Sequence, residues 1–382
     1  MNFVAIKMLV GDRLKYISLV AGITFAAMMM TQQASIFTGY AEQIGVWVRT
    51  SSVADLWVMD SQVEFDNDFK PMRDTALQRV RGIEGVEWAV PMYKNYLQTQ
   101  LPDGTRVLTR VVGLDDTTLM GGPPQITAGT LEGLRMDKAV FINEDEAKTT
   151  LRLRKGGNRP LQIGDRISVN DNDAVVAGTF KAPREFFWDP VLYTTYSRAL
   201  AWAPRERKQL MYIMVKARAG EDVAVVAERI RAQTGLAAEN NVDFEHKTTV
   251  DLLNRTGILV NFGITIVLGF LIGVLVAGQT FYTFVLENVR HFGALKAMGA
   301  GNGMVVWMLI QQVVVVGSIG YGIGLGAAAL SGWLFGGGAL AFSMTWHIPV
   351  FGAIGVILCC TGAALLGALQ VLRLEPAIVF RS

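Results

Sequence analysis

Charge is scarce in this chain, and the scarcity is local. Charged residues make up 18% of the 382, against about a quarter in a typical soluble domain. None occurs in residues 16–38, 257–286 or 304–372, where only His347 could titrate. About 20 apolar residues in a helix cross a hydrocarbon core, so these runs read as membrane spans. A purely soluble enzyme is excluded. The last run is too long for one crossing, and Gly336-Gly337-Gly338 with Trp346-His347-Ile348-Pro349 divides it. Four spans result, at about 16–38, 257–286, 304–335 and 350–372. The first is longer than the apolar core of a signal peptide and lacks a small-x-small cleavage site, so it reads as a retained anchor.

Cysteine is nearly absent. Cys359 and Cys360 are neighbours inside the fourth span, turned about 100° apart on a helix, so they form neither a disulfide nor a metal site by themselves. Residues 39–256 have none, and core packing alone must hold them.

Catalytic signatures are missing as well. There is no G-x-x-x-x-G-K-[ST] to cradle phosphates, no H-E-x-x-H, no C-x-x-C and no G-x-S-x-G. His246, His291 and His347 fall in three different compartments and cannot share a metal. The carboxylates of residues 60–74 read as a solvated face. Without Asp, Glu, Lys or Arg in the spans, the usual marks of a proton relay are gone, and any energy for transport must come from another subunit. No nucleic-acid footprint is present.

Charge placement gives orientation. Residues 1–15, 287–303 and 373–382 hold seven of the 35 basic and three of the 33 acidic residues, leaving 28 and 30 for residues 39–256. Positive charge beside spans stays in the cytoplasm. Both termini and the 287–303 loop are therefore inside, and residues 39–256 and 336–349 outside. Four spans require the same.

The fold class is a membrane protein with four transmembrane helices and a large α/β domain between helices 1 and 2. Within 1–15, Phe3, Ile6, Val10 and Leu14 fall on one side, fitting an amphipathic helix on the inner surface or a plain extension of the first span. In the outer domain, 54–60 reads as a strand, 71–80 as a helix, and 86–100 with 106–113 as a hairpin about Pro102-Asp103-Gly104. Later, 211–217 reads as a strand, 221–233 as a helix ended by Gly235, and 241–246 as a strand. Between these halves lies an insertion at about 116–208, with strands at 139–142, 166–169 and 174–180 and a turn at Asp171-Asn172-Asp173.

Residues 287–300 are the informative stretch. Val289, Phe292, Leu295 and Lys296 recur at helical spacing, and Gly299 ends the helix. Such a helix suits docking into a partner's groove; an ordinary positively charged inner loop is the alternative. Gly269, Gly273 and Ala277, and Gly320 and Gly324 with Gly322 and Gly326, permit close helix approach, within one protomer or at a dimer seam. Arg152, Arg154, Lys155 and Arg159 form a basic run, as a solvated loop or as a contact for an adaptor or anionic lipid. Phe186, Phe187, Trp188, Tyr193, Tyr196 and Trp202 gather aromatics, as subdomain core or as a surface for a partner or amphiphile.

Glu287, Arg290 and Ala294-Leu295-Lys296-Ala297-Met298-Gly299 resemble the E-x-x-R-x-x-x-[AT]-L-K-A-[ML]-G pattern of the MacB/FtsX-like, type VII (mechanotransmission) ABC permeases, and are most similar to the DevC-type. Leu374-Glu375-Pro376-Ala377-Ile378-Val379-Phe380 is similar to their closing [DE]-P-A-x-x-F, and Gly22-Ile23-Thr24-Phe25-Ala26 resembles their first span. His291-Phe292-Gly293 and Ala300 depart from the pattern. The resemblance implies porter-like segments at 39–115 and 209–250, a sabre-like insertion at 116–208, and coupling to an ATPase through Glu287, Val289, Arg290, Phe292, Leu295, Lys296, Met298 and Gly299. It implies a bacterial inner membrane location with the large domain periplasmic. It also implies partners: a separate ABC ATPase dimer carrying ATP and Mg, a second copy of this chain, a periplasmic membrane-fusion adaptor and an outer-membrane channel. The chain itself is then non-catalytic and binds no cofactor. Tripartite efflux is the leading expectation; the alternatives are an FtsX-like regulator of a cell-wall hydrolase and an ATPase-free scaffold.

Overall fold

A computed structural model describes residues 2–51, 53–154, 158–336 and 340–372. Lys155, Gly337 and Gly338, and the closing motif at 374–380, lie outside the described residues. In chain order the elements are α1 (Asn2–Gly11), α2 (Arg13–Gln43), α3 (Val46–Thr50), β1 (Leu56–Met59), α4 (Thr75–Arg81), β2 (Val86–Gln100), β3 (Arg106–Leu114), β4 (Gln125–Ala128) and β5 (Ala139–Asn143). There follow α5 (Glu144–Lys148), β6 (Arg166–Val169), β7 (Asn172–Lys181), β8 (Val191–Thr195), α6 (Tyr196–Trp202), β9 (Tyr212–Ala217), α7 (Val223–Thr234) and β10 (Ala237–Asn240). The chain continues with α8 (Asn241–Thr256), α9 (Ile258–Glu287), α10 (Val289–Ala297), α11 (Asn302–Phe335) and α12 (His347–Leu372). It divides into two compact units, residues 1–41 with 256–382, and residues 42–255.

In the first unit, α2, α9, α11 and α12 are long and apolar enough to cross a membrane. The first span is longer than the charge-free run, because α2 opens at Arg13 and continues to Gln43. Helix α12 opens three residues before the expected 350; Pro349 sits in its first turn, where a missing N–H costs no helix bond. Leu19, Ile23, Ala26, Ala27 and Met30 share one side of α2 and pack with Phe281 and Phe284 of α9, Leu309 and Val316 of α11, and Val356 and Cys359 of α12. Leu9 of α1 is buried in the same core, whereas Val10 and Leu14 are exposed. In lipid, close packing of this kind holds helices together without a hydrophobic drive between them.

The second unit is built on a sheet ordered β10-β1-β9-β2-β3-β8-β5-β7-β4. Strand β2 serves two layers. Its first half pairs with β9, and from Tyr93 onward it pairs with β3. Strand β6 pairs with both β2 and β7, which closes β2, β3, β8, β5, β7 and β6 into a ring. All four residues of β1 are buried because the sheet is covered on both faces. Leu56 and Val58 pack with Val80 of α4 and Val226 and Ile230 of α7, while Trp57 and Met59 join Trp47 and Phe244.

The hairpin forms as expected, with Gly104 at φ 83° and its N–H donating to Leu101 O at 2.9 Å. The later turn sits one residue earlier than expected, on Asn170 and Asp171 at φ 47° and 62°, a pair of positive values that suits a tight hairpin. Two expectations fail. Residues 241–246 are helix, not strand: the strand is β10, and Asn240 caps α8 by accepting from Asp243 N at 2.8 Å while its amide donates to Asp243 Oδ2 at 2.9 Å. Phe244, Thr248 and Leu252 then recur every fourth residue on the buried side. The helix expected at 71–80 begins at Thr75, because Met72 N is committed to Leu210 O at 2.8 Å in an isolated bridge.

Candidate coupling site and buried charge pairs

Helix α10 lies between two spans, bounded by Asn288 and by a glycine closure at Gly299. Asn288 ends α9, its amide donating to Phe284 O at 2.9 Å. At the far end Gly299 adopts φ 95°. Its N–H donates to Lys296 O at 3.0 Å, and Ala300 N donates to Leu295 O at 3.0 Å. This is a Schellman closure, which needs the left-handed conformation glycine tolerates. His291, Ala294 and Met298 are exposed along one side, while Leu295 and Lys296 are half-buried. Met298 is 76% exposed. Among the described side chains of 289–298, His291, Ala294 and Met298 are exposed, and Leu295, four residues after His291 and three before Met298, borders them half-buried. Val289, Arg290 and Phe292 fall within α10; their side chains lie outside the described residues. Glu287 is already paired within the chain, to Lys15.

The small residues pack within the first unit. A Cβ at Gly273 would collide with that of Ala26 and meet Cys359 Sγ at 3.3 Å, and one at Gly269 would meet Met29 at 3.1 Å. Gly320 fits against Ile23, and Gly324 against Thr24 O and Ala27. Ala277 is buried in the same core. Gly322 and Gly326 face open space.

The second unit buries two ion pairs that the sequence reading missed. Lys94 of β2 is fully buried, with Nζ 2.9 Å from Asp66 Oδ2, 3.2 Å from Asp66 O and 3.5 Å from the Trp47 ring centre. Burial pushes its ammonium down to about 7 despite the carboxylate. Arg110 of β3, also fully buried, pairs with Glu185 and donates to Phe187 O at 2.9 Å. Its Nε finds no partner among the described residues. Nearby Glu146 is pushed up to about 7 by burial, with Val191 N donating to its Oε2 at 2.9 Å and Arg110 pulling the other way. The Arg110 contacts to Glu185 and Phe187 O tie the 183–189 segment to β3. Within the same unit, Phe186 N donates to Gln43 O at 3.2 Å. A lone Lys or Arg inside an otherwise buried strand was the available signal.

Within the basic run, the Arg152 and Arg159 side chains bond locally, and Arg154 through its backbone N–H. Arg152 donates to Asn158 O, Arg154 N to Asp103 Oδ2 at 2.7 Å, and Arg159 makes two bonds to Asp165. The aromatics do not form one surface: Tyr193 and Trp202 are buried, Phe186, Phe187 and Tyr196 half-buried, and Trp188 exposed under the Arg184 guanidinium at 5.5 Å. Among the described residues no group of three or more His, Cys, Asp or Glu is placed to hold a metal.

Family models match in two blocks. Residues 17–233 match the MacB-like periplasmic core domain, and residues 263–376 the FtsX-like permease C-terminal region. Among solved structures, the periplasmic region of MacB from Actinobacillus actinomycetemcomitans matches with TM-score 0.38 and 12% identity, covering 52% of this chain and 94% of that one. The extracellular domain of the noncanonic ABC-type transporter YknZ from Gram-positive bacteria gives 0.35 and 12%, covering 49% and 99%. No curated protein matches.

Proposed function

The chain belongs to the MacB/FtsX-like ABC permeases, and we propose that it is the permease subunit of an ATP-driven tripartite efflux system in a bacterial inner membrane. Family membership implies an ABC ATPase as partner. In this reading a separate ATPase dimer holds ATP and Mg, and its closure pushes on α10. The motion passes through the spans of two copies of this chain, and residues 42–255 move against their counterparts in the periplasm. An adaptor and an outer-membrane channel complete the path. The chain supplies motion and no chemistry.

The observation that carries the reading is α10: a short helix between two spans, closed at Gly299, with Met298 exposed at its end. An apolar side chain left in water beside the membrane is the type of anchor a partner's groove accepts. The charge-free spans support movement over conduction.

The test is purification of the full chain in mild detergent and identification of what co-purifies. An ATPase with an adaptor supports efflux; a cell-wall hydrolase favours the regulatory alternative. Losing an apolar anchor often costs about 2 kcal/mol, roughly thirty-fold in affinity. Met298→Asp is thus expected to release the ATPase and stop export. Wild-type retention of the ATPase in both Met298→Asp and Leu295→Asp would remove α10 as the coupling element.

A further inference from the structure

Three elements of the first unit meet at one ammonium. Asp12 sits at the break between α1 and α2, its carbonyl accepting from Tyr16 N at 3.0 Å and its carboxylate from Lys15 N at 3.3 Å. It therefore caps α2. Lys15 Nζ lies 2.8 Å from Asp12 Oδ2 and also pairs with Glu287. That ammonium holds the Asp12 carboxyl below the usual carboxylate range. Glu287 is the last residue of α9, and only Asn288, tied to Phe284 O, separates it from α10. Leu9 of α1 is fully buried in the core of this unit, where α1 lies against α11. An ammonium shared by a carboxylate at the α1–α2 break and one at the end of α9 restricts both, and the Lys15 side chain is only 22% exposed.

We propose that Lys15 is a positioning residue that locks the foot of the first span to the start of the coupling helix, so that a displacement of α10 moves α2 directly and not only α9 and α11. The proposal rests on the reading of α10 as the coupling element for its consequence, and on the Asp12–Lys15–Glu287 geometry for its existence. It assigns Glu287 to an intramolecular contact, where the sequence pattern alone would offer it to the ATPase. Helix α1 gains a role in the same way, because Leu9 seats it and so holds Asp12 where the lock needs it.

The experiment separates the two parts. Spin labels on Val10→Cys and Met298→Cys, both exposed positions, are placed in full-length chain with Cys359→Ala and Cys360→Ala, reconstituted in vesicles. Asp12→Asn is included throughout, so that a reversed pair meets no third charge. With Lys15 and Glu287 intact, the distance distribution is expected to be narrow. Lys15→Glu and Glu287→Lys should each broaden it, and the two together should narrow it again. A lost packing contact would not be rescued by exchanging charges. If either single reversal leaves the distribution unchanged, or the double reversal stays broad, the lock is overturned. An unmodified chain that retains no ATPase would instead count against the coupling reading, and leaves the distance result standing on its own. With ATPase bound, Lys15→Glu should lower transport-coupled turnover several-fold, the scale expected of a partly exposed ion pair.

Discussion

Replacing Arg110 by methionine should unfasten the 183–189 segment. Arginine stays charged at every accessible pH, so the fully buried guanidinium is a fixed positive charge facing Glu185. Methionine keeps an apolar stem of similar length. It leaves the Glu185 carboxylate, whose side chain is only 14% exposed, without its cation, and Phe187 O without its donor. Removing one member of a buried pair costs about 3–5 kcal/mol. In a unit of this size about 1 kcal/mol moves Tm by 2–4 °C, so a fall of roughly 6–20 °C is expected. Adding Glu185→Gln should recover most of the loss, because removing both charges is often near neutral. The assay is thermal unfolding of residues 42–255, followed by fluorescence of the buried Trp47 and Trp57, with hydrogen exchange at Phe186 N reporting the bond to Gln43. A Tm shift under about 2 °C, or a double variant worse than Arg110→Met alone, would refute the view that the pair pins this segment.

Glu146, pushed up to about 7 by burial, binds a proton in the fold that the unfolded chain has already released above its ordinary value near 4.3. Its contribution is fully present below that value and is lost as pH rises through 7, so Glu146→Gln should flatten the decline of Tm between pH 5 and 8. Gly273→Leu should cost about 1–3 kcal/mol by overpacking against Ala26, read as a lower melting temperature in detergent. Gly322→Leu, in open space, should leave melting unchanged, and a changed oligomeric state would put a seam on the Gly322 face. Single cysteines at Asn158, on the outer side, should react with an impermeant thiol reagent in whole cells, and at Asn302 should not; the reverse pattern would sink the four-span topology.

Long-range features were legible where one residue type decides them. Charge-free runs gave the four spans because an ion in hydrocarbon is too costly to place there. Gly235 stopped α7 and Gly104 turned the hairpin because both need positive φ. The failures share a cause. At 241–246, Val242 and Phe244 alternate with polar neighbours as a strand would, and that short window outweighed the cap at Asn240, although Val242 is exposed. On α10 the apolar residues suggested one docking side; of these Leu295 is half-buried, and Met298, just past the helix, is exposed. Lys94 and Arg110 went unremarked because their partners lie far along the chain, Glu185 being 75 residues from Arg110, and no local pattern joins them.

The polar groups inside the spans bear on how work could cross them. Thr31, Ser35, Thr265, Thr280, Thr283 and Thr361 each donate a hydroxyl proton to the carbonyl four residues earlier in the same helix. A hydroxyl satisfied in this way does not require water and marks no hydrated path. At the same time Gly273 and Gly324 bring α9 and α11 against the backbone and Ala26–Ala27 region of α2, a fit that resists sliding because close-packed interiors have few alternative arrangements. Helices held so closely respond to a push at one end as stiff bodies, each residue adding about 1.5 Å of reach. Under the proposed mechanism, a push on α10 then has little slack in which to be lost. Thr24 Oγ1 of α2 and Gln311 Oε1 of α11 are buried without a hydrogen-bond partner among the described residues; under the mechanism proposed above, force on close-packed helices is the form of energy that crosses this unit.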